Sequence, residues 1–173
     1  MLKKTNTLRY QTGSNEWYTP LDIIERARKV MGGIDLDPAT SLIANRTVRA
    51  TKFYTEADDS LNQPWHGRVW CNPPYGKLTK PFSLRLLEEY QCKRVEQFML
   101  LLNSNILQTN WFEPLWEASV CILHGRLRFI SPYGRNNNPT HGSILIYQGQ
   151  RAKSFIKIFS EVGHVVKVQN HRR

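Results

Sequence analysis

Apolar residues recur along the chain at two spacings, one typical of amphipathic helices and one typical of buried strands. Residues 20–31 carry apolar side chains three and four positions apart, with Pro20 in the first turn. Gly32 and Gly33 follow and predict the end of this helix. The stripe that would face a core consists of Ile23, Ile24, Ala27, Val30 and Met31.

Short apolar runs bounded by turn residues alternate with helical patterns over the rest of the chain. This alternation predicts an α/β fold with a mainly parallel sheet. The last strands follow one another with less helix between them and predict an antiparallel edge. Residues 41–54 predict a helix or turn followed by a poorly defined strand. Further helices are predicted at 79–91, 110–118 and 152–162, and strands at 33–38, 68–72, 95–103, 119–125, 126–130, 143–149 and 164–169.

Length and charge narrow the class of protein. The chain has 173 residues, enough for one domain with a substantial core. Residues 1–15 are polar and basic and predict a flexible arm, so that residues 16–173 form a single domain. The 24 Lys and Arg against 14 Asp and Glu give a net charge of +10, which favours a polyanionic partner.

Cysteine usage and hydropathy indicate a cytoplasmic protein. Cys71, Cys92 and Cys121 are odd in number and show no metal-ligand spacing, so we expect reduced core residues. His124 and His141 have no ligand partners at metal spacing, and no metal is expected. The first residues lack an apolar signal core, and no apolar run is long enough to span a membrane.

The most informative stretch is Asn72-Pro73-Pro74-Tyr75, which begins at the last residue of the predicted strand at 68–72. In open α/β sheets, ligands bind outside the carboxyl ends of the strands. The Asn72 side-chain carbonyl and the Pro73 backbone carbonyl provide two acceptors on a stiff chain. Such a pair matches the two hydrogens of an exocyclic amino group, and the Tyr75 ring provides a face on which an aromatic base can stack. The stretch therefore predicts a pocket for an aminopurine or an amide.

A strand-ending turn is the alternative interpretation, because Asn and Pro are common in turns. At average residue usage, this four-residue string arises by chance in a chain of this length on the order of once in a thousand. Its place at the end of an apolar strand makes coincidence rarer still. We therefore favour a functional site.

The stretch Asn-Pro-Pro-Tyr after a strand resembles motif IV of the amino-methyltransferases that use S-adenosylmethionine. The wider chain resembles the phage-type DNA N6-adenine methyltransferases of the Dam family. This resemblance implies a Rossmann-like methyltransferase fold and transfer of a methyl group to the N6 amino group of adenine in double-stranded DNA. The matching pieces are NEWYTP (15–20), GGIDLDPAT (32–40), FYTEADDSL (53–61), GRVWCNPPYGK (67–77) and, more weakly, GRLRFISPYG (125–134) and PTHGSILIYQG (139–149).

The resemblance also implies a set of cofactor-binding residues. Thr19 would contact the carboxylate of the cofactor's methionine end, and Asp37 its ammonium group. Asp59, with Asp58 as the alternative, would accept a hydrogen bond from the adenine amino group of the cofactor. The full set implied is Trp17, Tyr18, Thr19, Pro20, Asp37, Pro38, Ala39 and Asp59.

The chain departs from the family pattern in two places. Thr40, Ser41 and Leu42 stand where the glycines of the cofactor loop are expected. Glycine lets a backbone approach a ligand closely, so either the cofactor is held in another way or Gly32 and Gly33, which come before the strand, reshape the loop. The acidic residue that ordinarily binds the cofactor ribose after the second strand is not visible in residues 46–54.

DNA recognition is expected in loops, because the chain after Tyr75 is just long enough to complete the sheet. Phe129 and Tyr133 alternate with basic residues, a combination that suits phosphate and base contact. Adenine in a duplex would be rotated out of the stack to reach Asn72. The candidate DNA-binding residues are Lys77, Lys80, Arg126, Arg128 and Arg135.

Three alternatives stay open. The acceptor could be an RNA adenine or a protein glutamine amide, since the same motif serves both classes. A non-catalytic basic DNA-binding protein with the same fold is the third, suggested by the missing glycines. A phage origin, residence in the host cytoplasm and evasion of restriction are implied by the resemblance alone.

Overall fold

The computed structural model describes residues 18–130 and 141–167. Within this part of the chain, seven strands form one sheet and four α-helices pack against it. The strands are β1 (Leu36–Asp37), β2 (Lys52–Phe53), β3 (Gly67–Cys71), β4 (Val95–Asn103), β5 (Ser119–Leu123), β6 (Ser143–Gln148) and β7 (Gly163–Lys167). The α-helices are α1 (Leu21–Met31), α2 (Leu42–Val48), α3 (Thr79–Gln91) and α4 (Ala152–Phe159).

The spatial order of the strands is β2-β1-β3-β4-β6-β5-β7. Strands β1 to β4 are mutually parallel, whereas β6 is antiparallel to both β4 and β5, and β7 is antiparallel to β5. The sheet is thus parallel in its first half and antiparallel later, as the sequence predicts. The architecture is consistent with a methyltransferase fold.

Helix α1 forms as its periodicity predicts. All five residues of the predicted stripe are buried. The helix ends at Gly32, whose φ of 80° lies in the left-handed region that glycine adopts without strain. The Gly32 amide donates to the Arg28 carbonyl at 2.6 Å and closes the last turn.

Strand β4 lies at the centre of the sheet and contributes to a core on each of its faces. Met99 and Leu101 pack with α1 and α4 on one face. Phe98, Leu100 and Leu102 pack with α3 on the other. Because successive side chains of a strand point to opposite faces, one continuous apolar run supplies both cores.

The edge where β1 to β4 end is called the carboxyl edge below, and the edge where they begin is the amino edge. After β1 the chain runs to β2 on one side and then returns to β3 on the other side of β1. This reversal leaves a crevice between the carboxyl ends of β1 and β3. In open α/β sheets such a crevice is the usual place for a ligand.

The strand predicted at 126–130 is wrong: those residues are irregular, and only Ile130 forms an isolated bridge, with Tyr18. The physical reason is that β5, which precedes this segment, is already paired on both sides by β6 and β7. The segment therefore leaves the sheet at the carboxyl edge, despite its alternating pattern.

Three further predictions need correction or refinement. The helix predicted at 110–118 is a 3₁₀ helix, Asn110–Glu117, which contains Pro114. Proline has no backbone N–H to donate to an α-helical bond, which disfavours a regular α-helix here. Cys71 and Cys121 are buried as expected, but Cys92 is exposed and is not a core residue. The uncertain stretch 41–54 forms α2 and then the two-residue strand β2.

Candidate active site

Asn72 and Asp37 lie at the two sides of the crevice between β1 and β3. Asp37 is the last residue of β1, and Asn72 directly follows Cys71, the last residue of β3. Burial is the main cause that raises the pKa of the Cys71 thiol, and the negative charge of Asp37 is the second cause. Asp37 and Cys71 are therefore neighbours. The topology thus brings together two predicted site residues that are 35 positions apart in sequence.

The turn after β3 is fixed by the start of α3. Asn72 is half-buried with its side-chain oxygen screened from solvent, and Pro73 is buried. Pro74 is exposed, and its carbonyl accepts a hydrogen bond from the Thr79 hydroxyl at 2.9 Å. This bond joins the turn to α3, so the two prolines and Thr79 together hold the Asn72 region in one conformation.

The ring of Tyr75 forms one wall of the site. It is half-buried and meets the ring of Phe129 edge to face, with centroids 6.2 Å apart and an interplanar angle of 83°. Burial raises the pKa of the Tyr75 hydroxyl to about 12, so the phenol stays protonated at neutral pH. The aromatic pair connects the turn after β3 with the irregular segment that follows β5.

That same segment also pairs with the residues before α1. The Tyr18 amide donates to the Ile130 carbonyl at 3.0 Å, and the Ile130 amide donates to the Tyr18 carbonyl at 2.9 Å. Thr19 is buried, and Pro20, which the sequence predicts in the first turn of α1, is its N-cap. The three stretches 18–20, 72–75 and 129–130 thus meet at the carboxyl edge, whereas Trp17 lies outside the described residues.

Asp37 is a buried carboxylate, only 2% exposed. It accepts a hydrogen bond from the Ala39 amide at 3.1 Å and a second from the Thr40 side chain. Burial nevertheless dominates and raises the pKa of Asp37 to about 7. Within residues 18–130 and 141–167, no cationic side chain forms an ion pair with it. Asp37 is therefore a buried acid whose only hydrogen-bond donors among the described residues are neutral groups of its own loop.

The loop after Asp37 is held without glycine. Pro38 is buried, and Ala39 is half-buried beside the Asp37 carboxylate. The Thr40 amide donates to the Tyr54 carbonyl at 3.0 Å, and the Ser41 hydroxyl accepts from the Ala44 amide at 3.2 Å as the N-cap of α2. A hydrogen bond to the segment after β2 and the N-cap of α2 thus hold the loop where the family pattern has a glycine-rich turn.

The acidic stretch after β2 lies at the same edge. Asp58 caps its own 3₁₀ turn by accepting from the Thr55 amide and hydroxyl, each at 2.7 Å. Asp59 is exposed and accepts from the Asn62 side chain at 2.7 Å. Since Asp58 has a structural role, Asp59 remains the better candidate of the two.

Two residues were not identified from the sequence: an acidic residue after β2, where the family pattern has the ribose-binding acid, and a hydroxyl residue that anchors the turn after β3. Glu56 is the first acidic residue after β2 and is exposed. It went unnoticed because the second strand is only two residues long and its end could not be located. Thr79 was assigned only to a helix, although a hydroxyl residue in the first turn of a helix is a common anchor for the preceding loop.

The candidate DNA-binding residues divide into two groups. Lys77 and Lys80 are exposed and follow the Tyr75 turn directly. Arg126 and Arg128 are exposed in the irregular segment after β5, so all four lie at the carboxyl edge. Arg135 lies outside the described residues.

The part of the chain that the structure describes has neither a metal-binding cluster nor a helix that could span a membrane. No group of three or more His, Cys, Asp or Glu side chains within 18–130 and 141–167 is arranged to hold a metal ion. In the same part of the chain, no helix combines the length and the apolar character that crossing a membrane requires.

Comparison with known proteins identifies the family. No curated protein matches the chain. The model of the family described as DNA N-6-adenine-methyltransferase (Dam) matches residues 4–171, nearly the whole chain. This match confirms the resemblance inferred from the sequence motifs. The chain belongs to the Dam family of DNA N-6-adenine-methyltransferases.

Proposed function

We propose that the chain transfers a methyl group from S-adenosylmethionine to the N6 amino group of adenine in double-stranded DNA. The observation that carries the proposal is the meeting of Asn72 and Asp37 in the crevice between β1 and β3, with the ring of Tyr75 beside them. One side of the crevice suits an amino group and the other suits the cofactor. Family membership favours DNA as the substrate.

Asn72 and Pro73 would bind the amino group that is methylated. The Pro74 carbonyl is already bonded to Thr79, so the Pro73 carbonyl is the acceptor that joins the Asn72 side-chain oxygen. The nitrogen lone pair of adenine N6 is ordinarily delocalised into the ring. When each acceptor receives a hydrogen bond from one N–H of the amino group, a tetrahedral nitrogen is favoured. The lone pair is then localised on the nitrogen again. Neither acceptor is basic, so activation needs no proton transfer beforehand.

Tyr75 would stack on the adenine ring. Stacking of a base on an aromatic side chain contributes about 1–3 kcal/mol by alanine substitution. Phe129 supports the Tyr75 ring edge to face and limits its rotation. Because Tyr75 is three residues after Asn72, the stacked base lies within reach of both acceptors.

The cofactor would lie on the Asp37 side of the crevice. When bound, S-adenosylmethionine supplies an electrophilic methyl group on a positively charged sulfur. The ionised Asp37 carboxylate would bind the ammonium group, and Thr19 at the start of α1 would bind the carboxylate. Asp59 would bind the cofactor's adenine amino group. The remaining residues proposed to surround the cofactor are Trp17, Tyr18, Pro20, Pro38 and Ala39.

The duplex would lie across the carboxyl edge. Lys77, Lys80, Arg126 and Arg128 would contact phosphates and fix the position of the DNA. Rotating the adenine out of the stack costs a few kcal/mol, which stacking and hydrogen bonds in the pocket offset. Holding the two reactants in line is then the main contribution of the protein to the rate.

Labelled S-adenosylmethionine distinguishes the possible acceptors. We expect label in unmethylated duplex DNA, recovered as N6-methyladenine, and none in RNA or in protein. Label in RNA alone, or in a glutamine amide, would overturn the choice of substrate. Calorimetry with S-adenosylmethionine tests the cofactor separately, and a chain that binds DNA but no cofactor would be a non-catalytic DNA-binding protein.

A further inference from the structure

A cleft of about 640 Å³ opens at the amino edge of the sheet, opposite the candidate active site. It lies between the end of α1, the residue after α2 and the start of β3. We call it the amino-edge cleft. Its lining includes four cationic side chains, Arg28, Lys29, Arg49 and Arg68, and one carboxylate, Glu25.

The single lining carboxylate is shared by two arginines. Glu25 forms an ion pair with Arg49, and its Oε1 atom is 3.5 Å from Nε of Arg28. Burial lowers the pKa of Arg28, and the positive charge of Arg49 lowers it further, against the opposing effect of Glu25. Two guanidinium groups are therefore crowded together with half of their charge balanced.

A second pair of guanidinium groups converges on Gly32. A Cβ atom added to Gly32 would lie 3.5 Å from Nη1 of Arg68 and 3.4 Å from Nη1 of Arg151. Arg68 is paired with Asp35, at 2.8 and 2.6 Å, and feels the more distant charge of Glu96. Arg151 is exposed and, within residues 18–130 and 141–167, forms no ion pair.

Two of these cations donate hydrogen bonds to carbonyl groups at helix ends, and among the described residues the other three do not. Arg28 donates to the Val48 carbonyl at the end of α2, and Arg68 donates to the Gly32 carbonyl at the end of α1. Lys29, Arg49 and Arg151 make no such bond to a described carbonyl and are exposed. Each guanidinium carries five N–H donors, so donors remain for an anion even where one is used in capping.

We propose that the amino-edge cleft binds backbone phosphates of a second segment of nucleic acid, separate from the segment at the carboxyl edge. Arginine pairs suit phosphate because their planar donors match its oxygen atoms. Strand β4 has nine residues, so roughly 30 Å separates the two edges. A duplex is too stiff to bend around this distance at small cost, so one duplex does not occupy both edges.

The test compares two double variants that remove the same charge. Arg49→Ala/Arg151→Ala removes two exposed cations at the amino-edge cleft, whereas Lys153→Ala/Lys157→Ala removes two exposed cations of α4. Binding of a G·C duplex of about 10 base pairs, one helical turn, is followed by fluorescence anisotropy at several salt concentrations. Such a duplex contains no adenine, so the measurement does not depend on the proposed methyl transfer.

Each phosphate contact contributes about 0.9 to the slope of log affinity against log salt. We expect the slope of the arginine variant to be shallower by about 2 and that of the lysine variant to change by well under 1. Sedimentation should find two short duplexes per wild-type chain at low salt, and the second duplex should be lost from the arginine variant at a lower salt concentration than from the wild type. Equal slopes for the two variants, or one duplex per wild-type chain, would refute the proposal.

Binding of pyrophosphate distinguishes a cleft that serves nucleic acid from one that serves a small phosphorylated ligand. If the cleft serves nucleic acid, pyrophosphate competes with the duplex for the wild-type chain, and its binding is lost in the arginine variant. Pyrophosphate binding that is lost in the variant while the DNA slope stays the same would assign the cleft to a small phosphorylated ligand. Thermal unfolding of both variants checks that each is folded.

Discussion

Replacing Asp37 by Asn should make the protein more stable at neutral pH while weakening its proposed binding of S-adenosylmethionine. The substitution keeps the shape of the side chain and the oxygen that accepts from the Ala39 amide. It removes the capacity to ionise, and its amide nitrogen can donate to the Thr40 side chain but no longer accept from it. Because Asp37 is 2% exposed, water does little to screen its charge, and the folded protein holds the proton up to a pH of about 7.

The size of the effect follows from the pKa of Asp37 in the two states. The folded value of about 7 lies above the ordinary 3.8, a difference equivalent to roughly 4 kcal/mol at about 1.4 kcal/mol per pKa unit. Between these two values the unfolded chain has lost the proton and the folded chain has kept it. The free energy of unfolding therefore falls as pH rises from about 4 to about 7, and levels off above that.

Urea unfolding at a series of pH values, from about 4.5 to about 8, measures this change. We expect the variant to exceed the wild type in unfolding free energy by an amount that grows with pH and reaches several kcal/mol. Asp22→Asn, which removes an exposed carboxylate in the first turn of α1, is the matched control for the loss of one negative charge. A difference for Asp37→Asn that does not change with pH would refute the reasoning.

Cofactor affinity should respond in the opposite direction. An ammonium group favours the ionised Asp37, so binding of S-adenosylmethionine should release a proton and tighten as pH rises from about 6 to about 8. Loss of a charge-assisted hydrogen bond costs about 1.5–3 kcal/mol, or roughly 10- to 150-fold in affinity. Calorimetry of Asp37→Asn should show this loss and no pH dependence. Unchanged affinity would exclude Asp37 as the ammonium ligand.

Two further predictions concern the turn after β3. Tyr75→Ala should weaken binding of the target duplex by about 1–3 kcal/mol, measured by competition, whereas Tyr75→Phe should bind and react normally because the ring does the stacking; a loss in Tyr75→Phe would contradict this. Thr79→Val removes the hydroxyl bonded to the Pro74 carbonyl and should lower the unfolding free energy by about 1 kcal/mol. Single-turnover kinetics of the same variant should show slower methyl transfer at unchanged cofactor affinity, and a normal rate would show that the bond does not position Asn72.

The sequence predicts the acceptor side of the site because its chemistry lies in four consecutive residues. Asn72, two prolines and Tyr75 follow an apolar strand, and each contributes through its own chemical type. Asp37 could be placed near them because alternation of strands and helices predicts that β1 and β3 end at one edge. Its burial, and the rise in its pKa, could not be predicted, because these depend on how tightly the following loop packs.

Long-range pairing was the main source of error. Residues 126–130 alternate like a strand, yet they have no free strand edge to pair with, and that depends on the order of β5, β6 and β7. The bridge between Tyr18 and Ile130 joins residues more than a hundred positions apart and leaves no local signal.

The position of the positively charged side chains in the fold also could not be predicted from the sequence. The net charge of +10 favours a polyanionic partner, and the candidate DNA-binding residues named from the sequence lie close after Tyr75 or in the range 126–135. Arg49, Arg68 and Arg151 are widely spaced in the sequence, and they come together only because the ends of α1 and α2 meet the start of β3 and of α4. A cluster of cationic side chains therefore lies at the amino edge, opposite the candidate active site.

Mass spectrometry of nucleosides from the DNA of cells that express the protein tests the central claim most directly. Cells that otherwise lack N6-methyladenine should contain it when they express the wild-type chain. Asn72→Ala, produced at the same level and with the same thermal stability, should reduce it by at least about 10²-fold, the usual effect of removing one positioned hydrogen-bonding group. Equal amounts of N6-methyladenine with Asn72→Ala, or none with the wild-type chain, would contradict the account.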